Sequence, residues 1–171
     1  MARADGTVVT SGGIALIAFE RRLAHPIDAV WAALTEPDQL AAWLGPGTLE
    51  PRAGGEISVR TGPEGRPELQ RSMSGRILEW DPPRLLEHEW LQPGLDVSVV
   101  RYELEPDTGG TILRFTHRRS AAPAGTGGRA GWHAYLDRLA AHLDGQPVPA
   151  WSERRTEVQE AYGEAPISPP Q

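Results

Sequence analysis

The 171-residue sequence predicts an α+β domain: an antiparallel sheet of about seven strands and a long C-terminal helix, with two short helices after the first strand. Three observations predict it. Residues 48–118 alternate apolar and polar side chains between close-set turn signals, and period 2 between tight turns means antiparallel hairpins. Residues 127–143 switch to helical spacing, with Trp132, Leu136, Leu139 and Leu143 on one face and Tyr135 at its edge. Two short helical faces separate the first strand from the hairpins.

Residues 1–12 read as a flexible lead with a short strand at Val8–Val9. Ile14–Leu23 reads as the first full strand. Pro26 suits a helix start, and Ile27, Val30, Trp31 and Leu34 then share one face. Pro37 disfavours a helical Glu36 and ends that helix. A second helix carries Leu40, Trp43 and Leu44, and Gly45-Pro46-Gly47 stops it. The breakers in the sheet region are Ala53-Gly54-Gly55, Gly62-Pro63-Glu64-Gly65, Asp81-Pro82-Pro83, Gln92-Pro93-Gly94 and Asp107-Thr108-Gly109-Gly110. Gly145 is placed to cap the long helix. Ser152 is placed to cap a last helix running to about Tyr162, and residues 164–171 read as a disordered end. The domain itself is expected over 13–151, with 152–171 as a short helix and tail.

Composition excludes several chemistries. There is no cysteine, so no disulfide, thiolate nucleophile or cysteine metal site. All basic residues are arginine, which excludes Schiff-base lysine chemistry and a P-loop lysine. The net charge of −6 argues against nucleic acid as a partner. No apolar run is long enough to span a bilayer, and no secretory leader is evident, so no membrane partner and a cytoplasmic location are expected. No cofactor or metal is expected.

The strand registers follow from side-chain chemistry. Pairing positions whose numbers total 217 sets Leu104 against Leu113, Tyr102 against Phe115 and Val100 against His117, with Glu103 meeting Arg114 on the other face. A total of 188 turns Leu86, His88 and Trp90 inward, and a total of 165 sets Ile77 against His88 and Gly75 against Trp90. This last register turns Glu79 inward and groups Leu78, Trp80 and Leu85 on the outer face. That apolar patch wants a cover, either the segment around Trp151 or a second subunit in a homodimer.

Four segments then carry a resemblance: HPIDAVWAALTEPDQLAAWLGPG at 25–47, GRILEWDPPRLLEHEW at 75–90, YELEPDTGGTILRFTH at 102–117 and GWHAYLDRLAAHLDGQPVPAW at 131–151. In this order the chain resembles the START-like (SRPBCC) superfamily, and within it the bacterial homologues of the C-terminal domain of the heat-shock-90 ATPase activator. The resemblance implies a helix-grip fold, a curved antiparallel sheet around the long C-terminal helix with a cavity between them. It transfers no catalytic residue.

The inner side chains mix aromatic bulk with polar tips, which suits a small hydrophobic or aromatic ligand. The expected ligand-binding residues are Trp43, His88, Trp90, Tyr102, Phe115, His117, Trp132, Tyr135 and Leu136. Against this stands the plainer reading of a filled aromatic core. His117 is the expected polar contact, and its titration makes ligand affinity depend on pH between about 5 and 8. Trp43 beside the Gly45–Gly47 pair suggests a hinged lid. Two other functions compete. One is a cyclase-, dehydratase- or hydrolase-like enzyme using His117, His88 or Glu79 for proton transfer. The other is a chaperone-regulating interaction domain, expected least because 171 residues leave no room for the activator's additional N-terminal domain.

Overall fold

The alternation in the hairpin region becomes one antiparallel sheet in a computed structural model, which describes residues 4–62, 72–121 and 127–163. The strands are β1 (Thr7–Ser11), β2 (Ile14–Leu23), β3 (Gly47–Leu49), β4 (Glu56–Arg60), β5 (Ser72–Asp81), β6 (Leu85–Trp90), β7 (Ser98–Asp107) and β8 (Gly110–Ser120). They lie in the order β1-β2-β8-β7-β6-β5-β4-β3. The helices are α1 (Ile27–Thr35), α2 (Pro37–Trp43), α3 (Gly127–Leu143) and α4 (Trp151–Tyr162). The described residues thus hold eight strands rather than seven. The expected turn at 63–65 and the tail at 164–171 lie outside the described residues.

Residues 7–11 are not a free lead. They form an edge strand laddered on β2, and the Tyr162 hydroxyl accepts from the Gly6 N–H at 2.8 Å. The 217 register runs the length of β7–β8, and the 188 register holds in β6–β7. The expected outer pair of Arg101 with Glu87 forms at 3.0 Å, but Arg114 pairs with Glu105 at 2.6 Å rather than with Glu103 opposite it, which binds Arg101 at 2.8 Å instead.

The third register holds from Ser74, opposite Leu91, to Ile77 and then breaks. Ile77 pairs with His88, but Glu79 pairs with Glu87 and Trp80 with Leu86, so a bulge falls at Leu78. One extra residue reverses the faces beyond it. Trp80 therefore turns inward and packs edge-on against Trp31 of α1, with ring centroids 5.1 Å apart. Glu79 turns outward toward Arg101 at 3.6 Å. The outer patch of Leu78, Trp80 and Leu85 does not form, so the reason for a covering dimer or a covering Trp151 segment falls away. Gly75 serves a close approach of the two backbones. A Cβ there would lie 2.1 Å from the Glu89 carbonyl oxygen, so only glycine permits this approach of β5 to β6.

Helix boundaries follow local chemistry. Glu36, ahead of Pro37, is extended at φ −82°, ψ 127° and ends α1. Gly145 takes φ +65°. Its N–H donates to His142 O and that of Gln146 to Ala141 O, a Schellman closure of α3. Ser152 does not cap α4: the cap is Ala150, which makes no side-chain cap bond. Trp132, Tyr135, Leu136 and Leu139 of α3 are buried in the core facing the sheet. On another face of α3, Asp137 binds Arg21 at 2.8 Å and Arg154 at 2.7 Å. These pairs, with the desolvated Val158, join β2, α3 and α4 into one packed body.

Candidate functional site

Cross-strand rows on the inner face explain where space remains. One row is Leu86, Tyr102, Phe115 and Phe19, and all four are buried. The next is Ile77, His88, Val100, His117 and Ile17, again buried throughout. The third row begins with Trp90 against Ser98 and ends with Arg119 against Ala15. One further step of the β7–β8 register sets Ser98 level with Arg119. The first two rows are bulky, whereas the third contains serine and alanine. A cleft of about 160 Å³ opens there, lined by Trp90, Ser98, His117, Arg119, Ser120 and the loop residues Gln92 and Gly94–Asp96.

Behind the cleft, the aromatic side chains pack against one another. Trp132 lies 4.3 Å from Phe115 and 5.0 Å from Trp90 between ring centroids, and Tyr102 lies 5.2 Å from Phe115. A directional hydrogen-bond chain runs through them. The Trp132 indole donates to His117 Nδ1 at 2.8 Å. That bond makes Nδ1 the acceptor, so His117 Nε2–H donates to Ser98 Oγ at 2.7 Å, and Ser98 donates to Trp90 O at 2.9 Å. Every member is satisfied by the neutral Nε2–H tautomer. Desolvation, aided by Arg119 and His88, holds the His117 imidazole down at about 3. Burial likewise lowers His88 to about 4, and its Nδ1–H donates to Glu89 O at 2.8 Å.

Of the nine expected ligand residues, Trp90 and His117 line the cleft. His88, Tyr102, Phe115, Trp132, Tyr135 and Leu136 are buried in the core outside its lining. Trp43 is also fully buried, with its indole tied to Ala33 O at 2.8 Å. It is not a lid, and the adjacent glycines are not a hinge. A Cβ on Gly45 or Gly47 would meet Arg60 O at 1.8 Å or Ser58 O at 2.1 Å, so both positions serve close backbone packing. The expected pH dependence through His117 between 5 and 8 also fails, because its proton equilibrium is displaced well below that range. Glu79, turned outward, cannot serve the interior.

Arg119 is the residue that sequence reasoning missed. Its signal was parity: Leu113, Phe115 and His117 face inward, and period 2 carries the same face to 119. Arg119 is half-buried. Gly128, near the start of α3, gives its guanidinium room: a Cβ on Gly128 would lie 2.6 Å from Arg119 Nη1. A second, larger groove of about 780 Å³ lies between α2, α3 and α4, bordered by Leu44, Gly45, Arg138 and Trp151. It contains none of the nine expected residues. Among the described residues no group of three or more His, Asp or Glu side chains is placed to hold a metal ion, and no helix is long and apolar enough to cross a membrane.

Comparison with known proteins agrees with this fold. The crystal structure of CalU16 from Micromonospora echinospora is 27% identical, with a TM-score of 0.71 over 93% of this chain and 92% of that one. A Bordetella parapertussis protein solved by NMR is 28% identical, with a TM-score of 0.70 over 98% of this chain and 95% of that one. A Rhodobacter sphaeroides protein is 31% identical, with a TM-score of 0.62 over 81% of this chain and 95% of that one. No curated protein matches. The family profile described as "Activator of Hsp90 ATPase homolog 1-like protein" matches residues 24–144. With its START-like helix-grip architecture, the chain belongs to that family.

Proposed function

We propose that the protein binds a small aromatic or hydrophobic molecule in the cleft at the open end of the sheet, with Trp90 as its aromatic wall and His117 as its fixed floor. The observation that carries this reading is the row of small side chains, Ser98 and Ala15, which leaves space directly against an otherwise filled aromatic layer. Leu95, on the cleft's rim, and nearby Val97 are 54% and 61% exposed. Apolar groups exposed beside an opening favour an apolar occupant. The ligand therefore sits at the end of the sheet–helix interface rather than deep within it.

Proton-transfer catalysis draws no support from the residues first considered for it. Glu79 faces outward, and the hydrogen-bonded nitrogens of His88 and His117 are committed within the protein. Chaperone regulation, which the family description suggests, has no comparable geometric support, since the expected outer apolar patch is dispersed.

Nuclear magnetic resonance of the six tryptophan indole groups tests the reading with benzamide, a neutral one-ring probe. Trp90 and Trp132 should shift on titration, and Trp43 should not. No shift at Trp90, or a shift led by Trp43, would remove the cleft as the site.

A further inference from the structure

Resting on that reading of the cleft, we infer the ligand class: a one-ring aromatic monocarboxylate whose carboxylate pairs with Arg119. Among the described residues the Arg119 side chain makes no hydrogen bond and no ion pair. Other arginines are committed: Arg21 to Asp5 and Asp137, Arg101 to Glu87 and Glu103, Arg114 to Glu20 and Glu105, and Arg154 to Asp137 and Glu157. A half-buried cation without a partner is costly. An arriving anion offsets that cost, and the planar guanidinium suits a carboxylate's two oxygens.

The other polar groups of the cleft narrow the choice. His117 is neutral, and its Nε2–H is held by Ser98, so it offers no competing positive charge. Asp96 lines the rim but is exposed. One cation with an acidic residue at the rim favours a single negative charge over a dianion such as a phosphate monoester. The volume, about 160 Å³, is close to the ~150 Å³ of a cavity that accepts benzene. Trp90 supplies an aromatic surface against which such a ring can pack.

Isothermal titration of the whole protein with benzoate and with benzamide isolates the charge, because the two probes share size and shape. Benzoate should bind about tenfold tighter than benzamide. Arg119→Gln should remove that preference, and added salt should reduce the benzoate affinity alone. Arg119→Lys, which keeps the charge but loses the fork, should be intermediate and stands as the second variant if Arg119→Gln folds poorly. Equal affinities in the wild type, or a benzoate preference that survives Arg119→Gln, would overturn the carboxylate inference while leaving the cleft as a binding site. If neither probe binds up to about 10 mM, the cleft reading fails, and this inference with it.

Discussion

Arg119 and Arg138 are both half-buried, and burial pulls both guanidinium groups below their ordinary value. Their hydrogen bonding differs completely. Arg138 donates to Trp43 O at 2.9 Å, to Ala42 O at 3.4 Å and to Pro149 O. It thereby satisfies carbonyls at the C-terminal end of α2 that the helix itself cannot, and joins α2 to the segment before α4. The Arg119 guanidinium sits at the cleft and joins nothing among the described residues. One cation is a structural staple, and the other is left for something that arrives. A half-buried arginine is therefore informative through its partners, not its burial. The regions around the two repeat the contrast: α2 is locked by Arg138 and by Trp43's bond to Ala33, whereas the third inner row is left partly empty.

The largest expected effect lies in the layer behind the cleft, which accommodates no charge. The folded-state values of His88 and His117 are depressed from 6.5 to about 4 and about 3. The unfolded chain then binds more protons than the folded one below about pH 6.5, so stability is fully present above that pH and falls as pH drops toward 4. Together the two histidines should cost about 4 kcal/mol between pH 8 and pH 5. Urea unfolding across that range measures it, and a flat profile would mean that the interior admits protons and the hydrogen-bond chain is not rigid.

Next in size is the contrast between the arginines. Arg138→Gln should destabilise by roughly 2–4 kcal/mol, because buried carbonyls lose charged donors. Arg119→Gln should change stability by no more than about 0.5 kcal/mol, since it removes no internal bond. Comparable losses in the two variants would erase the distinction between staple and vacant partner.

Much of this was legible in sequence. The inner rows through Tyr102, Phe115 and His117 followed from charge and apolar matching across hairpins, because a one-residue slip would have misplaced every pair. The bulge at Leu78 left no such mark. It adds one residue without a turn signal, and it moved Trp80 inward and Glu79 outward. The role of His117 was hidden for another reason: its partners come from β7 and from α3, and only tertiary packing brings Trp132 to Nδ1. Arg119 was accessible by parity alone, but an arginine at a strand end reads as a solvated terminus until its lack of a partner is seen. The cleft itself depended on Ser98 and Ala15 falling in one row, which needs the registers on both sides of β8 at once.

The most direct measurement is urea unfolding of the wild type, Arg138→Gln and Arg119→Gln, each with and without millimolar benzoate. A ligand that binds only the folded state raises stability by mass action. Benzoate should raise the midpoint of the wild type and of Arg138→Gln by the same increment, despite their different starting stabilities, and that of Arg119→Gln by a much smaller one. An equal increment in all three proteins would contradict the assignment of Arg119 as the anion partner at the cleft.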